Sequence, residues 1–186
     1  MYNLEMWEEK LILDIGEKRF KHSKRVMKTA LEINKNYGLE EDKLKTAAIL
    51  HDCAKYNEDK YLKLYGQNLE SYQKEFRDVL HSFLGAEVAK KVYNINDKQV
   101  LDAIRFHTTG KANMTDFEKI IYLADAIEPK RNYPEVDKVR NLSKRGLDEA
   151  LLFSLDHNLE FIISKEALIH PLTIEARNFL IKEKNE

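Results

Sequence analysis

The 186-residue chain carries 31 basic and 32 acidic side chains, for a formal net charge of −1. That balance excludes a nucleic-acid partner recognised by bulk charge, while a 43% hydrophobic composition suffices for one compact domain. The single cysteine, Cys53, excludes an intrachain disulfide framework and suits a reducing cytoplasm.

The N-terminal stretch MYNLEMWEEKLILDIG lacks the basic start and long apolar run of a signal peptide. No run of ~18 apolar residues is present, so neither a membrane span nor a membrane partner is expected. Few Gly and Pro, six and three, favour a helical protein. Leu4, Trp7, Leu11 and Ile15 stripe a first helix that should end near Gly16. HSKRVMKTALEINKNYG follows, with Val26, Ala30 and Ile33 on one face and Gly38 as its C-cap. EEDKLKTAAILHDCAKY opens with acidic residues, as a helix N-terminus prefers. QKEFRDVLHSFLGAEVAKKVY and DKQVLDAIRFHTTG read as two further amphipathic helices. TDFEKIIYLADAIEP starts on a Thr N-cap and stops before Pro129. GLDEALLFSLDHNLEFIISKE and HPLTIEARNFLIKEK close the chain as helices. Residues 57–71 are the least periodic, and residues 129–140 read as a structured loop. The expectation is an all-α single domain over residues 1–186 of roughly eight helices. Its core would lie at about 16–128, with helices from 146–186 packed on it.

Six histidines are present, and His22, His51, His81 and His107 fall on separate expected helices or their ends. His51 is followed directly by Asp52 behind the apolar run AAIL, and Asp125 sits inside IIYLADAI. A carboxylate drawn into a core is costly unless paired, and a metal is an efficient partner. Neighbours on a helix splay by about 100°. The doublet therefore suits either a carboxylate bridging two cations or one cation with ligands from several helices. Imidazole with carboxylate suits Fe, Mn, Co, Ni or Zn rather than Mg or Ca. A lone histidine on an apolar face is ordinarily a core residue, which is the reading for His157 and His170. Cys53 reads as a core hydrophobe.

The order His22, His51-Asp52, Asp125 resembles the H…HD…D pattern of the HD-domain metal-dependent phosphohydrolases. The added His81 and His107 resemble the subset that holds two metal ions. More closely, HSKRVMKTALEI, AAILHDCAK, VLHSFLGAEVA, AIRFHTTG, KIIYLADAIEPKRNYP and HPLTIEARNFL resemble the YqeK family, from about Lys10 to Leu180. That family comprises symmetrical bis(5′-nucleosyl)-tetraphosphatases, which split diadenosine tetraphosphate into two ADP. The resemblance implies that His22, His51, Asp52 and Asp125 hold one metal. His81 and His107 would hold the other, with Asp52 as the bridge, iron as the associated metal, and a metal-bridging hydroxide as nucleophile. Asp52 and Lys55 are the expected catalytic residues. Arg25, Lys55, Thr108, Thr109, Gly110 and Arg131 are the expected phosphate contacts, and Tyr133 is a stacking candidate. Glu135 departs from the family, whose members often carry Gly there. The partner would be a small dinucleoside polyphosphate, with a homodimer as one option for assembly. The alternatives are an HD hydrolase acting on a deoxynucleoside triphosphate or a (p)ppGpp-like nucleotide, and a non-catalytic module that would have lost ligands.

Overall fold

The computed structural model describes residues 3–185, which form nine α-helices and no strand. Helix α1 (Leu4–Asn34) starts on Asn3, whose side chain accepts from the Met6 N–H at 3.2 Å. It is broken at Gly16, where φ 78° and ψ 155° leave the helical region. The expected stop at Gly16 is therefore a kink, and the chain resumes helix at once. Gly38 ends the helix in the left-handed region, its N–H donating to Asn34 O at 2.9 Å.

Helix α2 (Glu41–Leu50) is shorter than its periodicity predicts. The His51 Nδ1–H donates to Ala48 O at 2.7 Å. A continuing helix would give that carbonyl to the Asp52 N–H, so the side chain competes with the backbone and the helix stops. Residues 51–56 then proceed as turns, with Cys53 N donating to Leu50 O and Lys55 N to Asp52 O. The HD doublet thus lies just past a helix end rather than within a helix. Helix α5 (Lys98–Phe106) repeats the device: His107 Nδ1–H takes Ile104 O at 2.7 Å and the helix ends there.

Two further segments gain detail. Helix α3 (Glu58–Tyr65) occupies part of the aperiodic segment, followed by 3₁₀ turns at Gly66–Asn68 and Ser71–Glu75. As a result helix α4 (Leu80–Val92) begins later than the QKEF stretch predicts. Helix α6 (Asp116–Ile127) starts with the capping box of Thr115 and Glu118. The expected loop after it contains helix α7 (Val136–Leu142), entered through Glu135 at φ 66°. Glycine adopts that conformation without steric cost, and Glu135 adopts it here, so the turn into α7 forms without a glycine. Helices α8 (Leu147–Ser164) and α9 (Pro171–Asn185) complete the chain.

The first half of the core packs α1 against α2 and α6, and α4 against α5. Leu50, Phe83, Leu84, Ile104, Ile120 and Ile121 are fully buried there, each worth about 1.5–3 kcal/mol in apolar transfer. Helix α8 lies on α6 and α9 on α8. A smaller cluster of Met114, Tyr122, Leu151, Leu155, Ala176 and Leu180 joins them. Gly85 brings α4 close to the HD turn, since a Cβ there would meet His51 O and Ile104 Cγ2 at 3.3 Å. No helix among the described residues is long and apolar enough to cross a membrane.

Candidate metal centre and substrate cavity

Five segments deliver the cluster: α1 supplies His22, the turn after α2 His51 and Asp52, α4 His81, the end of α5 His107, and α6 Asp125. The four histidines converge on Asp52. Its Oδ2 faces His51 Nε2 at 3.3 Å and His22 Nε2 at 3.8 Å. Its Oδ1 faces His81 Nε2 at 3.4 Å and His107 Nε2 at 3.7 Å. Asp125 Oδ1 completes the first side, 2.9 Å from His22 Nε2 and 4.0 Å from His51 Nε2. The splay of the doublet is resolved by the two carboxylate oxygens pointing to different histidine pairs.

The histidine tautomers are set from behind. Nδ1 of His51 and of His107 donates to a backbone carbonyl, which leaves the Nε2 lone pair directed inward. His22 Nδ1 lies 3.1 Å from Glu128 Oε1, giving the same result through a buried carboxylate. Nε2 of His22 and of His51 is buried with no hydrogen-bond partner, met only by carboxylate oxygens. Buried nitrogen lone pairs facing carboxylates are the donor chemistry of a transition-metal site. Two donor groups have ligand atoms within 4.8 Å of one another, His22–His51–Asp125 and His51–Asp52–His107. The residues present therefore fit metal ions. His81 stands apart: Lys55 Nζ donates to its Nδ1 at 3.0 Å, and Thr108 Oγ1 lies 3.3 Å from its Nε2.

Electrostatics matches this arrangement. Burial opposes ionisation of Asp52, yet the surrounding His51, His107 and His81 hold its carboxyl well below the ordinary value. Burial likewise opposes Asp125, and His22 with Arg131 outweighs it, so its carboxyl is also strongly lowered. Burial pulls the His51 pKa down, but Asp52 and Asp125 raise it overall, which marks how strongly the carboxylates here favour a positive charge. His81 is held well below its usual value, chiefly by burial.

The expected phosphate contacts divide. Arg131 donates from Nε to Asp125 O at 2.8 Å and from NH2 to Asp125 Oδ1 at 2.5 Å, and it lines a cavity of about 380 Å³ beside the cluster. His107, Thr108 and Asp125 line the same cavity, as do Tyr133 and His157, whose rings stack with centroids 5.1 Å apart. The sequence reading treats His157 as a core residue, and the structure puts it at this wall instead. Arg25 is engaged within the protein: its Nε and NH2 grip Glu128 at 2.6 and 3.1 Å. Thr109 is fully buried and donates to Gly110 O, while the Gly110 N–H donates to Phe106 O. The Thr109 hydroxyl and the Gly110 N–H, the donors expected to meet phosphate, are thus both engaged within the protein.

Two residues escape the sequence reading. Glu128 supports His22, and Arg19 donates from NH1 to Asp52 Oδ2 at 3.0 Å. Their signal was spacing: Glu128 is three after Asp125 and Arg19 three before His22, one face of a helix in each case.

Residues 19–130, which contain the whole cluster except part of the cavity wall, match the HD domain family. The chain belongs to that family. Among similar proteins of this HD group is the symmetrical bis(5′-nucleosyl)-tetraphosphatase of Halalkalibacterium halodurans, 42% identical over 91% of this chain and 92% of the relative. The protein of the same name from Bacillus subtilis is 35% identical over 90% and 91% of the two chains. A solved structure from Clostridium acetobutylicum, named a predicted HD superfamily hydrolase involved in NAD metabolism, superposes with a TM-score of 0.92. It is 40% identical and covers 98% of this chain and 99% of its own. These likenesses place the chain in the YqeK family of HD proteins.

Proposed function

We propose that this HD protein hydrolyses diadenosine tetraphosphate symmetrically, releasing two ADP. The observation that carries the reading is Asp52, whose two oxygens address two separate histidine pairs. His22, His51, Asp52 and Asp125 would hold one metal ion, and His107 and His81 with the other oxygen of Asp52 the second. Iron is the proposed metal, supported by the mixed imidazole and carboxylate donors. When bound, such a metal pair neutralises phosphate oxygens and supplies an activated water at neutral pH.

The chain's own groups position the substrate. The cavity walled by Tyr133, His157 and Phe161 takes one nucleoside. Arg131, fixed by Asp125 and with its side chain 38% exposed, meets a phosphate beside that nucleoside. Lys55 and Thr108 stand together at His81, where a cation and a hydroxyl can bind the next phosphate. Lys55 also has a proton to give to the leaving diphosphate. Attack at a central phosphorus then yields equal halves. A reducing cytoplasm and the absence of a nucleic-acid partner belong to the same proposal, supported by the buried free Cys53 and the near-zero charge.

Metal-loaded protein incubated with diadenosine tetraphosphate should release ADP alone. ATP with AMP as products would sink the symmetrical mechanism. Turnover of a deoxynucleoside triphosphate or a (p)ppGpp-like nucleotide in preference would move the substrate elsewhere in the family.

A further inference from the structure

We infer that Tyr56 is the stacking platform for the second nucleoside of the substrate, an assignment that rests on the proposed dinucleoside polyphosphate reading. A symmetrical substrate carries two bases, one on each side of the scissile bond. The cavity lined by Tyr133 and His157 accounts for one of them. Tyr56 is absent from that cavity, yet it is tied to the metal cluster by a single side chain. Arg19 donates from NH1 to Asp52 Oδ2 at 3.0 Å and from NH2 to the Tyr56 hydroxyl at 2.9 Å. The Arg19 guanidinium also lies 5.5 Å from the centre of the Tyr56 ring.

Three features set this tyrosine apart from an ordinary surface residue. Its backbone adopts φ 68°, a left-handed conformation that a bulky side chain rarely takes. Such strain persists where the surroundings over-determine it, and it concentrates at functional sites. The residue remains 64% exposed although Arg19 covers the ring, so aromatic surface is open to a ligand. The segment Asp52–Tyr56 is also short, so the ring sits at a fixed reach from the carboxylate that bridges the two histidine pairs. Every base has an apolar face, and stacking on an aromatic side chain is tolerant of base identity. Arg19 then acts as a positioning residue, linking the orientation of the ring to that of Asp52.

The test compares wild type, Tyr56→Gly and Tyr56→Trp in the metal-loaded protein. Glycine is at ease at φ 68°, so Tyr56→Gly removes the ring without straining the fold. The KM for diadenosine tetraphosphate is measured, with the inhibition constant of adenosine 5′-tetraphosphate, which has only one nucleoside. In Tyr56→Gly the KM should rise on the order of tenfold or more, the usual weight of one stacked base. The inhibition constant of the single-nucleoside compound should stay as in wild type, and Tyr56→Trp should keep the wild-type KM. An unchanged KM in Tyr56→Gly, or an equal loss for both nucleotides, overturns the assignment. Wild-type protein that makes no ADP from diadenosine tetraphosphate overturns the function itself, and this inference with it.

Discussion

Arg25 closes a two-point grip on Glu128, at 2.6 and 3.1 Å, although Glu128 is only 2% exposed. Burial opposes ionisation of that carboxyl, but Arg25, the Lys130 N–H and His22 lower it to about 2. Glu128 is therefore an anion at any working pH, and it orients His22 through Nδ1. A group behind a ligand commonly affects metal affinity almost as the ligand itself does.

Glu128→Gln keeps the shape and removes the charge. Metal affinity should fall about 10–100-fold, with helix content unchanged by circular dichroism. Competitive titration against a chelator checks this, and wild-type affinity in the variant would remove Glu128 from the metal's support.

Asp52 addresses both histidine pairs, so Asp52→Asn should lower bound metal and abolish hydrolysis together. His81 makes a sharper case, because Lys55 occupies its Nδ1 and neither close donor group includes it. His81→Ala should reduce metal content below wild type by elemental analysis. A full complement in that variant would show that the second ion is held without it.

Lys55→Met leaves the six ligand candidates in place and removes the cation nearest His81. The expected outcome is a fall in kcat of ~100-fold or more, the usual loss of one charge-stabilising donor, with metal content retained. Equal losses of metal and activity would instead make Lys55 a support for His81.

His170 is buried at the start of α9 among the rings of Tyr72, Phe76 and Phe83. Burial lowers its pKa from the model-compound value of 6.5. Between the folded and unfolded values the unfolded chain binds more protons, so stability rises with pH across that window. The contribution is complete above about pH 6.5 and is lost as the pH falls toward the folded value. His170→Phe should therefore flatten the drop in Tm between about pH 7.5 and 5.5. Parallel curves for the two proteins would place the pH sensitivity elsewhere.

Gly85→Val forces a branched side chain against His51 O and Ile104 Cγ2. Overpacking of this kind costs about 1–3 kcal/mol. The displaced backbone carries the HD doublet, so metal affinity should drop as well as Tm. A loss of Tm with wild-type metal affinity would show that the doublet moves independently of α4.

The helical class and the convergence of His22, His51, Asp52, His81, His107 and Asp125 were legible in the sequence, because apolar period and residue type both survive folding. What was not legible came from side chains competing for backbone groups. His51 ends α2 by taking Ala48 O, which periodicity over AAILHDCAKY cannot reveal. Thr109 and Gly110 looked available for phosphate beside His107, yet the Gly110 N–H closes the end of α5 and the Thr109 hydroxyl donates to Gly110 O. Arg25 read as a phosphate contact because its partner here, Glu128, is distant in sequence. A charge is assigned to a ligand from sequence only when the anion that claims it is known.

The ligand candidates come from five segments spread between α1 and α6. An ion bound there would tie together five segments that the unfolded chain does not hold close, so it favours the folded chain alone. Free metal at 100 times its dissociation constant would add about 2.7 kcal/mol of stability. Scarcity of the metal then does more than silence catalysis. It raises the fraction of opened chains that proteases can cut, so the abundance of this hydrolase in a cell should follow the supply of its metal.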